Sequence, residues 1–227
     1  MQFNEAQIQA IQHNTGPCMV IAGPGSGKTT VLTHRVRYLI ERYGVNPSDI
    51  LVITFTKAAA EQMKLKFKGL SEGRNSAVTF GTFHAVFFTI LKAAYNYSAH
   101  CIIKPQIQHE FVKDQMCRLE LEYDDENEAV AGVLSEISCV KGEDVNIDEY
   151  ESRCIPPQSF RIMYRAYDDM LVRKHLIDFD DMIVQCRELL MQREDYRRAW
   201  QNKYKYILID EFQDINPVQY DLLRVWN

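Results

Sequence analysis

The chain has 227 residues, 46% of them hydrophobic, more than one typical domain and enough for a buried core, so the expectation is a globular unit with an inserted subdomain. No apolar run approaches the roughly 18 residues of a membrane helix, and the start "MQFNEAQIQAIQHN" lacks an apolar signal region; this argues against a membrane protein and for the cytoplasm. The net charge of −5 argues at first against a polyanionic partner.

In chain order, "CMVI" (18–21) reads as a first buried strand, followed by a glycine-rich turn and the helical pattern "TTVLTHRVRYLIERYG". Val31, Leu32, Val36, Leu39 and Ile40 recur at helical spacing there, and Gly44 is a typical C-terminal stop. "ILVITF" (50–55) and "AVTF" (77–80) read as the second and third strands, and "YILI" (206–209) as the fourth. Three of the four are followed at once by a helical pattern, which implies a parallel sheet covered by helices.

Between about residues 92 and 175 the strand signals vanish, and amphipathic stretches such as "QIQHEFVKDQMCRLEL" and "NEAVAGVLSEISCV" take over. The segment reads as a helical insertion, with "KGEDVNIDEYESRCIPPQ" as its surface loop. Residues 114–151 hold 13 acidic side chains against Arg118 and Lys141, a local charge of −11 that leaves the rest of the chain at +6. A mildly basic body could therefore meet nucleic acid through one face. The six cysteines form no C-x-x-C pair and have no histidines at zinc-ligand spacing, so reduced thiols and no structural metal are expected.

The turn after the first strand carries Ala22, Gly23, Pro24, Gly25, Ser26, Gly27, Lys28 and Thr29. It is a phosphate-loop pattern with Ala22 in the place of the first glycine. Gly25 and Gly27 let backbone N–H groups converge on a phosphate, and the helix beginning near Lys28 adds its dipole. Lys28 is suited to the β- and γ-phosphates, and the Thr29 hydroxyl to Mg²⁺. At the other end of the chain, "YILIDEFQD" places Asp210 and Glu211 where an apolar strand leaves a parallel sheet, the edge at which ligands bind. Asp210 is suited to hold Mg²⁺ through its water shell, and Glu211 to orient and deprotonate an attacking water.

With "FNEAQIQAI", "ITFTKAAAEQMK", "GTFHAVFFTIL", "LIDFDDMI" and "DEFQDINPVQ" in this order, the chain resembles the first motor domain of UvrD/Rep-type superfamily 1A DNA helicases. The resemblance implies an α/β fold, a RecA-like phosphate-loop NTPase sheet with flanking helices. Residues 1–91 and 176–227 would form domain 1A and residues 92–175 the helical 1B insertion. It implies ATP as the nucleotide, with Gln7 reading the adenine edge, and single-stranded DNA and duplex junctions as partners. Phe55 and Thr56 match one DNA-contacting segment, with the aromatic available for base stacking. Thr82 and His84 match another, suited to phosphate contacts that position without reading sequence. Phe55 could equally be core, His84 a helix-start residue packing locally, and the aromatics of "VFFTIL" helix core. Asp178 of "DFDD" can cap the following helix, and the family also uses this stretch near the DNA path.

Two departures bear on these contacts: Lys57 and Ala58 stand where relatives often have asparagine and lysine, and Thr30, beside the phosphate loop, where many have arginine. The family continues into a strand with a γ-phosphate-sensing glutamine, lying between the phosphate-loop strand and the "ILID" strand, and then into a second motor domain with arginine fingers. Neither is in this sequence, so the expectation is a helicase motor-domain piece that binds ATP and single-stranded DNA but hydrolyses poorly by itself. The competing readings are an interaction domain recruiting a protein through the acidic insertion, and a phosphate-loop kinase, which would explain neither "GTFH" nor "DEFQD".

Overall fold

The computed structural model describes residues 2–71 and 77–226. Ten α-helices and three strands lie among them, and the chain divides into two compact units, Met1–Val86 with Arg197–Ile215 and Phe87–Tyr196 with Asn216–Asn227. The sequence-based division at 91/92 and 175/176 follows the switch from strand to helix signals. The compact units instead break within the helices at 86/87 and 196/197 and again at 215/216.

In the first unit, α1 (Glu5–Gln12) begins on a reciprocal cap in which Asn4 Oδ1 accepts from Gln7 N at 2.8 Å and Gln7 Oε1 accepts from Asn4 N at 3.0 Å. Two orphan N–H groups are satisfied at once. Its last carbonyls are met by Arg35, which donates to Ala10 O (3.0 Å) and His13 O. Arg35 belongs to α2 (Lys28–Tyr43), which ends where Gly44 takes a left-handed φ of 65° and its N–H returns to Leu39 O. Next come β1 (Ile50–Thr54), α3 (Lys57–Leu70), β2 (Thr79–Thr82) and the start of α4 (Phe83–Tyr95). After the second unit's helices and α9 (Glu194–Lys203), β3 (Tyr206–Ile209) returns to this unit.

The sheet has the order β2-β1-β3 and is parallel throughout, with Thr54 opposite Thr82 and Ile53 opposite Ile209. Every residue of the central strand β1 is buried, as an apolar run covered on both faces requires. Val36 and Leu39 of α2 and Met63 and Phe67 of α3 share a core with Ile50, Val52, Val78 and Leu208. The mixed α/β architecture with a parallel sheet is the expected one. The strand expected at 77–80 is displaced by two residues to Thr79–Thr82.

One expected strand is absent: among the described residues 18–21 join no ladder, and Met19, Val20 and Ile21 are 69%, 54% and 91% exposed. An apolar run becomes a strand only if a neighbour takes its N–H and C=O groups. The family resemblance sets a further strand between this run and β3, and none of the described residues fills that position.

The second unit is helical. α5 (Pro105–Arg118), α6 (Glu126–Gly142) and α7 (Pro157–Lys174) bury Val112, Met116, Val130, Val133, Ile137, Phe160, Met163 and Tyr167 in one cluster. α8 (Phe179–Gln192) and α10 (Pro217–Trp226) bury Met182, Ile183, Cys186, Leu189, Leu222, Leu223 and Trp226. Starts are set by proline at the first helical position of α5 and α7 and by Asp125 and Asp178, whose side chains accept from Glu128 N and Asp181 N. The acidic segment is offset in three dimensions by cations from outside it: Lys113 meets Glu126, Arg161 meets Glu151, Arg165 meets Asp148 and Arg187 meets Asp144.

Candidate functional site

The site lies in the first unit, at the carboxyl edge of the sheet. Gly25 and Gly27 have φ of 74° and 84°, a left-handed backbone that favours glycine. Gly27 is the N-cap of α2 and no side chain caps that helix, so its first N–H groups point, uncapped by the protein, toward the loop. Gln7 braces the loop: its Nε2 donates to Ser26 O at 3.1 Å while its Oε1 accepts from Asn4 N. One amide hydrogen and one lone pair of Gln7 remain for a ligand.

β3 ends in Asp210, whose N–H continues the ladder to Ile53 O at 2.9 Å. Glu211 follows in a left-handed conformation (φ 52°, ψ 49°) that turns the chain into the short 3-10 turn Phe212–Asp214. For a side chain other than glycine this is a strained backbone, of the kind that gathers at functional sites. It brings Glu211 Oε1 to 3.8 Å from Lys28 Nζ, across 183 positions of sequence. Gln213 Nε2 holds the other oxygen, Glu211 Oε2, at 2.8 Å. Asp210 is only 8% exposed, and burial, reinforced by the neighbouring Glu211 carboxylate and opposed by Lys28, pushes its acid above the usual carboxylate range.

Two carboxylates crowded at one edge favour a cation. Asp210 and the Thr29 hydroxyl on the first turn of α2 supply oxygen donors of the kind magnesium takes, leaving room for its waters. Among the described residues no group of three or more His, Cys, Asp or Glu side chains is arranged to hold a metal ion, so such an ion would depend on waters and phosphate oxygens for the rest of its shell. The phosphate-loop residues Ala22, Gly23, Pro24, Ser26 and Thr30 lie at or near the surface.

The remaining expected residues sit on the same sheet edge. Phe55 and Thr56 follow β1; Thr82 ends β2 and His84 follows it. Thr56 Oγ1 accepts from Ala59 N at 3.1 Å and Thr82 Oγ1 from Ala85 N at 3.2 Å, so both cap helices. Phe55 is partly exposed and packs edge-on against buried Phe83 at 5.8 Å. Burial pushes His84 below the usual imidazole range, leaving it neutral at pH 7. Val86, Phe87, Ile90 and Leu91 are buried, the helix-core reading of "VFFTIL". Sequence reasoning missed Gln213 and the bracing role of Gln7. The motif "DEFQD" shows the former, but no local signal shows that its amide turns back on Glu211.

A phosphate loop meeting a strand-end Asp-Glu pair defines a nucleotide-phosphate-binding domain. The UvrD/REP helicase N-terminal domain family model matches residues 3–226, and the chain belongs to that family. It is similar to YjcD of Bacillus subtilis (35% identity over 98% of this chain and 30% of that protein). It is similar too to ATP-dependent DNA helicase Rep of Escherichia coli (34%, over 99% and 34%) and ATP-dependent DNA helicase PcrA of Staphylococcus epidermidis (31%, over 98% and 31%). The chain thus spans about a third of the length of these relatives.

Proposed function

We propose that the chain is the ATP-binding motor domain of an ATP-dependent DNA helicase that moves along single-stranded DNA. The observation that carries this reading is the meeting of Lys28 and Glu211 at 3.8 Å, which brings the phosphate loop to the carboxylates that end β3. Lys28 and the α2 N-terminus hold the phosphates, Gln7 reads the adenine edge, and Glu211, steadied by Gln213, orients the attacking water and accepts its proton. Thr29 and Asp210 hold magnesium, which supplies charge neutralisation on the phosphates when bound. Phe55, Thr56, Thr82 and His84 form the DNA-facing edge, where a neutral His84 offers a hydrogen bond rather than a charge.

A second motor domain completes the site in this reading, and duplex junctions and DNA repair or recombination are the setting it implies. Calorimetry with ATP and Mg²⁺ tests the core of the proposal: binding is expected for the native chain and lost in Lys28→Ala. Equal affinity in the two would remove the assignment. Oligothymidylate binding tests the edge: affinity should fall as salt rises, by counterion release, and Phe55→Ala with His84→Ala should weaken it. Binding indifferent to that double variant would move the DNA surface elsewhere.

A further inference from the structure

The most unusual charge in the molecule lies far from the phosphate loop in sequence. Lys141, at the end of α6, has a side chain only 3% exposed. Its Nζ donates to Asp178 Oδ2 at 3.0 Å and to Asp181 Oδ1 at 2.7 Å, lies 3.0 Å from Asp168 Oδ1, and stands 5.1 Å from the centre of the Tyr167 ring. An ammonium has three N–H donors, and three carboxylates take them. Asp178 does double duty, because its other oxygen accepts from Asp181 N at 2.7 Å and so caps α8. Three helices are thereby joined through one cation: α6 by Lys141, α7 by Asp168 and α8 by Asp178 and Asp181.

We propose that Lys141 and these three aspartates form a proton-linked clamp that positions the first turn of α8, the "DFDD" stretch that the helicase resemblance sets near the DNA path. Its DNA-facing half rests on the function proposed above; the clamp itself does not. Fully ionised, the cluster is one positive charge against three negative ones in a buried place, and such an imbalance favours retaining a proton. Burial, reinforced by Asp178 and opposed by Lys141, pushes the Asp181 acid up to about 7, and Asp168 is raised as well, again chiefly by burial. The other groups facing the cluster are Tyr164 and Tyr167 of α7, Tyr97, and Asp180 beside Ser138.

A carboxyl whose folded pKa is raised stabilises the fold below its unfolded pKa, and that stabilisation is lost as pH rises through the folded value. The clamp therefore tightens as pH falls from about 8 toward 5. Because Asp178 both grips Lys141 and caps α8, loosening the cluster loosens the helix start and the partly exposed Phe179 that follows the cap.

The test is urea unfolding of the 227-residue chain at several pH values from 5 to 8.5, for the native chain, Asp181→Asn and the surface control Asp144→Asn. One linked proton changes the unfolding constant by up to about tenfold per pH unit below the folded pKa. The native chain and the control should show that slope and Asp181→Asn should lose it; other titrating groups cancel between variants. Should Asp181→Asn not fold, Asp168→Asn takes its place. A native chain with no slope in this window, or a slope unchanged in the aspartate variant, overturns the clamp. In parallel, oligothymidylate affinity is measured from pH 6 to 8.5. A pH dependence that disappears in Asp181→Asn supports the positioning role, and one that survives overturns it. If the native chain binds no oligonucleotide at low salt, the DNA part of the proposed function fails while the unfolding arm still decides the clamp.

Discussion

The two compact units treat partly buried charge in opposite ways. In the sheet unit Lys28 has one carboxylate neighbour at 3.8 Å, Glu211 sits 39% exposed on a strained backbone, and Asp210 is buried with its acid pushed above the usual carboxylate range. In the helical unit Lys141 is sealed, with every ammonium hydrogen matched at 2.7 to 3.0 Å. In the proposed function Lys28 receives a phosphate, and such a lysine cannot be saturated by its own protein. A lysine that joins helices must be, since an unmatched buried charge costs several kcal/mol.

The sharpest way to break this comparison is to ask whether the loosely held charges do chemistry. Hydrolysis by this chain, with saturating ATP and oligothymidylate, is expected to fall roughly 10³- to 10⁵-fold below that of a protein carrying a second motor domain, if arginine fingers act in trans as in related phosphate-loop enzymes. That corresponds to about 4 to 7 kcal/mol of barrier. Glu211→Gln should then abolish a strong activity in the longer protein and change little here. Equal phosphate release by the two would show that the second domain is not catalytic.

Next in size is the saturated lysine. Lys141→Met leaves Asp168, Asp178 and Asp181 without their cation and is expected to cost about 3 to 5 kcal/mol in urea unfolding at pH 8. The loss should shrink toward pH 5, where protonation relieves the carboxylates. By contrast Lys28→Ala, which removes an ion pair about one-third exposed, should change stability by less than about 1 kcal/mol while removing nucleotide binding. A large loss from Lys28→Ala would erase the distinction between the units.

A smaller effect belongs to a residue that the sequence assigned to DNA. Thr56 caps α3 through Ala59 N, so Thr56→Ala is expected to cost about 1 kcal/mol. Thr56→Ser should keep the cap and most of the stability. If the serine variant loses as much as the alanine one, the hydroxyl is not acting as a cap.

What the sequence made legible follows from how local each signal is. The glycines, Lys28 and "ILIDEFQD" announce their elements through neighbours within a few residues, and β1, β3, α2 and the α8 cap at Asp178 stand where their patterns put them. The run at 18–21 misled because a strand is defined by its neighbour in the sheet, which composition does not record. The charge count over 114–151 likewise records no partners: Lys113, Arg161, Arg165 and Arg187, which pair with its carboxylates, come from other parts of the chain. "DFDD" was readable as a cap, but its second partner, Lys141, lies 37 residues from Asp178. Only folding brings them together.

The smallest effect separates burial from mere pairing. Asp144 accepts both guanidinium nitrogens of Arg187, at 2.8 and 3.1 Å, yet its side chain is 58% exposed. The Arg187 hydrogen bonds and charge hold the Asp144 carboxyl below the usual carboxylate range. A folded pKa that is depressed contributes stability above the unfolded value and loses it as pH falls through the folded one, the reverse of the Asp181 case. Solvent screening discounts the pair to about 0.2 to 1 kcal/mol. Asp144→Asn is therefore expected to lower stability slightly at pH 7, less at 0.5 M salt than at low salt, and to approach the native chain as pH falls through the depressed folded value. The measurement is the urea midpoint at each condition. If Asp144→Asn instead lost the neutral-pH slope, as Asp181→Asn is expected to, pairing rather than burial would set the proton linkage, and the contrast between open and sealed charge would lose its physical basis.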